Sequence, residues 1–185
     1  LCDWSSDVCS SDLNNDTVDT PAVYQLTGSC GVSNIKFAGK NEGGFGGEQL
    51  LSTTNDGRKM DLFSHDDGTR RQEFEFTLLD TGYYHISVPR GTSGGFGGEQ
   101  LLSVSSDGKK VDLFSHDDGS DRQVWNLVDT YDGDDSYHIV NLGVEGEYYY
   151  LSSTSDGTEI ALTNYYDNDE RKKWFIPDLL CRTGF

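Results

Sequence analysis

The ten residues GGFGGEQLLS occur at positions 43–52 and again, unchanged, at 94–103. The match runs on without a gap: LLSTTNDGRKMDLFSHDDGTRRQEFEF at 50–76 lies over LLSVSSDGKKVDLFSHDDGSDRQVWNL at 101–127. A more divergent third copy, YLSSTSDGTEIALTNYYDNDERKKWFI, fills 150–176. Each copy follows a short apolar piece: SNIKF from Ser33, YHISV from Tyr84 and YHIVN from Tyr137. From Val32 to Pro177 the chain is thus one unit of about 50 residues written three times, over 32–82, 83–135 and 136–177.

Inside a unit the residues alternate between two faces. Met60 and Leu62 fall on one and Asp61 and Phe63 on the other; Val111 and Leu113 oppose Asp112 and Phe114 in the same way. A period of two means strands with one buried face, and it turns Phe63 and Phe114 outward. Asp56-Gly57, Asp107-Gly108 and Asp156-Gly157 separate pairs of such strands. Asp-Gly suits a hairpin turn because glycine takes positive φ without a steric penalty. Each unit is therefore read as a short strand, a hairpin and a fourth strand, and the chain as all-β. One unit cannot cover its own apolar face, so three must close on one another. A β-trefoil is the expected closure. A propeller needs at least about four blades, with repeats nearer about 40–45 residues.

The ends are treated separately. DWSSDVCSSDL, at 3–13, is similar to the translated read-through of a sequencing-library adapter, so 1–13 is set aside as an artefact, with 14–31 an N-terminal extension and 178–185 a tail. Cys2 and Cys9 leave the count with it. Cys30 precedes the first unit and Cys181 follows the last, where a trefoil brings its ends together; they are expected to form a disulfide, which implies an oxidising, secreted or extracellular setting. Asn15-Asp16-Thr17 is a glycosylation sequon of little weight. With 32 acidic against 14 basic residues and a net charge of −18, phosphate-rich partners are repelled, so nucleic acid is not expected. No apolar run reaches the ~18 residues of a membrane span, and insertion into a bilayer is not expected.

The fourth strand of each unit opens with RQEF (Arg71 onward), RQVW (Arg122 onward) or RKKW (Arg171 onward). A Gln-x-aromatic at this place in a threefold repeat resembles the Gln-x-Trp motif of ricin B-type β-trefoil lectins and carbohydrate-binding modules, over nearly the whole chain after the adapter. Phe74, Trp125 and Trp174, the aromatics of the motif, are read as core, and its glutamine as an anchor for the turn. The resemblance implies shallow sugar sites made of a hairpin aspartate, an aromatic platform at the end of the hairpin's second strand and an amide near the motif. Carried over, Phe63 and Phe114 are the platforms and Gln72 and Gln123 the amides. His65, Asp66 and Asp67, with His116, Asp117 and Asp118, lie near enough to bond sugar hydroxyls. The hairpin aspartate reads Ser52, Ser103 and Ser152, a departure from the pattern. The third unit has Thr163 for the platform and Lys172 for the glutamine, and it is expected to bind weakly or not at all. Tyr165 and Tyr166 are poor substitutes.

The twice-written FSHDDG is, in these terms, a strand end running into an Asp-Asp-Gly turn. Catalysis is not expected, because histidines that recur with a structural repeat (His65 with His116, His85 with His138) do not form one convergent constellation. The acidic loops at 129–135 and 167–170 do not follow the calcium-loop pattern, and no metal or cofactor is expected. A glycan-binding, non-enzymatic domain is the reading. The alternatives are a protein-interaction or inhibitor trefoil, or the binding module of a larger secreted hydrolase.

Overall fold

The structure is a computed structural model that describes residues 26–38, 49–54, 57, 59–89, 100–133, 136–143, 146–154, 157, 159–164 and 170–179. The adapter-like segment, the sequon, the glycine-rich GGFGG stretches, Tyr165, Tyr166, Cys181 and part of both acidic loops lie outside the described residues.

Among the described residues thirteen strands form one sheet: β1 (Leu26–Asn34), β2 (Lys36–Phe37), β3 (Leu50–Thr53), β4 (Met60–Phe63), β5 (Glu73–Leu79), β6 (Tyr84–Val88), β7 (Gln100–Val104), β8 (Val111–Phe114), β9 (Trp125–Asp129), β10 (Ser136–Asn141), β11 (Tyr149–Ser153), β12 (Ile160–Thr163) and β13 (Lys173–Phe175). A single 3-10 turn, Glu170–Lys172, is the helical piece among the described residues, and none there is long and apolar enough to cross a membrane. Strands β5, β6, β9, β10, β13 and β2 pair in that order, and β1, continuous with β2 through Ile35, pairs with β5. That closes a barrel. Hairpins β3–β4, β7–β8 and β11–β12 hang from β2, β6 and β10, and their second strands β4, β8 and β12 meet one another.

The register repeats with the sequence. Leu51 faces Leu62, Leu102 faces Leu113 and Leu151 faces Leu162 across the three hairpins. Gly57, Gly108 and Gly157 take φ of 65°, 69° and 68°, the positive values that the Asp-Gly turns require. The core collects one set of residues from each unit: Ile35, Leu51 and Phe74; Ile86, Leu102 and Trp125; Ile139, Leu151 and Trp174, all with no exposure. Trp125 and Trp174 also donate their indole N–H to the carbonyls of Leu102 and Leu151, at 2.8 and 2.9 Å. The motif's aromatics are thus core. Burying each is worth about 3 kcal/mol, and the indole bonds fix which hairpin each one packs against.

Candidate functional site

The loops that follow β4 and β8 are built alike, from their own side chains. Asp66 Oδ1 accepts the Gly68 N–H at 2.9 Å, and Asp117 Oδ1 accepts that of Gly119 at 2.8 Å. Asp67 accepts the Thr69 N–H at 3.0 Å and Asp118 that of Ser120 at 3.1 Å; each also takes the neighbouring hydroxyl. Arg70 and Asp121, at matching positions, both hold positive φ, 67° and 61°. Non-glycine residues pay about 1–2 kcal/mol for this, so the packing around each loop imposes the same bend twice.

Arg71 and Arg122 close the loops. Arg71 donates to Thr69 Oγ1 at 2.9 Å, to the Thr53 carbonyl at 3.4 Å and to Asp67 Oδ2 at 2.6 Å. Arg122 repeats this with Ser120, Val104 and Asp118. The bonds from Thr69, with help from Arg71, hold the Asp67 carboxyl down at about 2. Burial pushes Asp118 up, yet its bonds from Ser120 and Arg122 outweigh that and leave it below its ordinary value. Asp67 and Asp118 are therefore the staples of their loops, while both remain exposed.

Gln72 and Gln123 are held from within the fold as well. Both are fully buried. Gln72 Oε1 accepts the Asp67 N–H at 3.4 Å and its Nε2 donates to Ser52 Oγ at 3.0 Å; Gln123 treats Asp118 and Ser103 in the same way, at 3.5 and 3.0 Å. They tie loop to hairpin, as the turn-anchor reading expected, and they present no amide to a ligand.

What remains at the surface is an aromatic shelf. The Phe63 ring lies 5.2 Å from the His65 ring, with the Arg71 guanidinium 5.6 Å from its centroid. For Phe114 the distances are 5.1 Å to His116 and 5.3 Å to Arg122. His65 and His116 are exposed, each with Nδ1 3.0 Å from the hydroxyl of the preceding serine. Alternation expected the phenylalanines to be open. They are half-buried instead, because the arginine that closes each loop leans over the ring. The shelf can offer the apolar edge of a phenylalanine and an imidazole, side by side, at two places.

Asp66 and Asp117 differ in their partners. Asn34 Nδ2 donates to Asp66 at 3.3 Å and to the Gln72 carbonyl at 2.8 Å. Its counterpart in the second unit is His85, whose Nε2 lies 3.0 Å from Asp117 Oδ2. In the third it is His138, whose Nδ1 lies 3.1 Å from the Lys172 carbonyl. Burial keeps His85 below the ordinary imidazole pKa even though Asp117 pulls the other way, and burial does the same to His138. The sequence pairs these histidines as repeat equivalents, but only the fold shows that they reach from the first strand of a unit to its loop. In the third unit the aromatic has changed strands: Tyr150 stands opposite Thr163, where Leu50 and Leu101 stand opposite Phe63 and Phe114. Its ring sits edge-on to His138 at 6.0 Å, with Lys172 Nζ 5.5 Å away. Among the described residues no group of three His, Cys, Asp or Glu side chains gathers as a metal site would.

No protein-family model and no curated protein matches the chain. Solved structures do. ThreeFoil, a designed 3-fold symmetric protein, is 23% identical, with a TM-score of 0.58 over 80% of this chain and 99% of its own. SeviL, solved bound to asialo-GM1 saccharide, is 18% identical, with a TM-score of 0.54 over 80% of this chain and 96% of its own. The GlcNAcα1-4Gal-releasing endo-β-galactosidase of Clostridium perfringens is 12% identical, with a TM-score of 0.59 over 78% of this chain but 32% of its own. At such identities the likeness concerns fold. The closed barrel, its three hairpins and these neighbours together make the chain a β-trefoil, the fold of ricin B-type lectins and carbohydrate-binding modules.

Proposed function

We propose that this chain is a carbohydrate-binding, lectin-like domain with shallow sugar sites in its first two units and no chemistry of its own. The observation that carries the reading is the repetition of one surface arrangement, ring, imidazole and guanidinium, to within a few tenths of an ångström at Phe63 and Phe114. A core needs no such copy on its outer face. Each shelf can receive the apolar face of a pyranose, with His65 or His116 bonding a hydroxyl at its rim. A site this shallow binds in the millimolar range, about −4 kcal/mol, and useful affinity comes from engaging several glycans at once. SeviL, whose structure holds asialo-GM1 saccharide, supports the class of ligand.

Secretion and a Cys30–Cys181 bridge belong to the same proposal. Cys30 is buried in β1, and the Asp178 N–H reaches Ser33 Oγ at 3.4 Å, which brings the chain's last described segment to within a few residues of that strand.

The test is a glycan array probed with the full chain and with the double variant Phe63→Ala, Phe114→Ala. Binding by the parent that is lost in the folded variant is expected. No binding by well-folded parent, with calcium present, contradicts the proposal. A second reading, a protein-binding trefoil, draws on Tyr131. It is 87% exposed in the loop that follows β9, within the second unit, and holds a positive φ of 60°, and an exposed tyrosine on a bent loop is a common anchor for a protein partner. A folded parent that binds no glycan leaves this second reading standing, whereas array binding that survives Tyr131→Ala and is lost in the phenylalanine pair favours the shelves.

A further inference from the structure

The ricin-type arrangement has an aspartate just after the start of the hairpin, and here every unit has serine. In the folded chain an acid stands directly across the strand pair. Ser52 is the register partner of Asp61, and Ser103 of Asp112. Asp61 lies two residues before Phe63 on β4, and Asp112 two before Phe114 on β8, so each acid shares a face with its platform. The third unit loses both members together: Ala161 and Thr163 occupy those positions.

Both acids are under-supplied by the protein. Asp61 Oδ1 and Asp112 Oδ1 are buried, and neither has a hydrogen-bond partner among the described residues. The nearby arginines do not satisfy them, since the bonds of Arg71 go to Thr53, Thr69 and Asp67, and those of Arg122 to Val104, Ser120 and Asp118. Burial raises the pKa of both carboxyls, and bonds from Ser52 and Ser103 only partly offset it. A buried acceptor without a donor is costly. The same cost is met at the same place in the two units that carry a phenylalanine platform; in the third, Ala161 removes the acid, and the orphaned buried hydroxyls there belong to Ser153 and Thr163.

We propose that Asp61 and Asp112 are the ligand-binding carboxylates of the first two units, each accepting a hydroxyl of a neutral sugar whose apolar face rests on Phe63 or Phe114. Both residues are part-exposed although Oδ1 itself is closed to solvent, so a sugar hydroxyl meets the carboxylate at its accessible edge, and a small turn of the carboxylate on binding brings Oδ1 the donor that the strand pair does not supply. Sugars bearing carboxylate or sulfate are disfavoured: the net charge is −18, and the arginine at each shelf is committed to its loop. This inference rests on the lectin reading and assigns residues within it.

The experiment compares four proteins on one array of neutral, sialylated and sulfated glycans: the full chain, Asp61→Asn with Asp112→Asn, Phe63→Ala with Phe114→Ala, and Asp80→Asn, in the exposed turn after β5, as a control. The Asn pair keeps the shape of the acid. Its binding to neutral glycans is expected to fall about tenfold to a hundredfold, while its melting temperature holds or rises, as befits residues kept for binding at the expense of stability. An Asn pair that binds like the parent, while the Phe pair does not bind, overturns this inference and leaves the lectin reading standing. An Asn pair that melts well below the parent assigns the acids a structural role and also overturns it, as does a parent that prefers sialylated or sulfated glycans. A folded parent that binds nothing overturns both.

Discussion

At Gln72 and Gln123, two roles of one side chain compete, and burial decides between them. The sequence permits the amide to anchor a turn or to bond a sugar; complete burial, with Oε1 on a loop N–H and Nε2 on a hairpin serine, leaves only the first. Gln72→Ala is expected to destabilise the fold by about 1–3 kcal/mol, since it removes a partner of the buried Ser52 hydroxyl and the acceptor of the part-buried Asp67 N–H. Urea denaturation measures it. An unchanged midpoint would return the glutamine to the ligand. Phe63 shows the converse limit of sequence reasoning. Alternation gave its face correctly, because Asp61 and Phe63 do lie opposite Leu62, but alternation describes one strand and says nothing of a guanidinium that arrives from the next segment. Arg71 reads in sequence as an ordinary charge beside the Gln-x-aromatic motif. Asp61 is similarly unremarked in sequence, since its significance lies in the register with Ser52.

Between elements, the contact from a unit's first strand to its loop changes chemistry down the chain, from Asn34 on Asp66 to His85 on Asp117. Nothing in the spacing of YHISV announces this, because the partner belongs to a loop more than one strand away. The substitution makes the second unit sensitive to pH. With the folded-state pKa of His85 held below its ordinary 6.5 by burial, the unfolded chain binds more protons in the window below 6.5. Stability is then fully present above that value and falls as pH drops through it toward the lower folded-state pKa. His138 adds to the same limb. Asp61 and Asp112 act oppositely: their folded-state pKa values lie above 3.8, so their contribution is most favourable in acid and declines as pH rises through that window. Thermal melts from about pH 8 to about pH 5 should show a falling melting temperature for the parent. The variant His85→Asn, which writes the first unit's residue into the second, should fall less. Parallel curves for the two proteins would show that the His85 contact carries no pH dependence.

For the whole molecule, closure follows from repetition. Three units, each with an apolar face it cannot cover, give a barrel with three hairpins, and the strands and the positive-φ glycines, Gly57, Gly108 and Gly157, stand where the alternation and the Asp-Gly pairs of the sequence indicated. The fold is legible in sequence because it rests on local period and on threefold repetition. The site is less so, because it rests on which side chains meet across strands and loops. The proposed bridge between Cys30 and Cys181 also belongs to this scale. It would close a loop of about 150 residues, stabilising the fold by up to about 5 kcal/mol in the chain-entropy model. Reduction is expected to lower the melting temperature markedly, and Cys181→Ser to do the same without reductant. A melt indifferent to reductant would argue against the bridge.

The central claim is that one unit written more than once makes two like sites. Calorimetric titration with a neutral glycan selected from the array tests it most directly. The account predicts two equivalent sites per chain, one remaining after Phe63→Ala or Phe114→Ala alone and none after both. A single site in the parent, or a stoichiometry that neither phenylalanine alters, would contradict it.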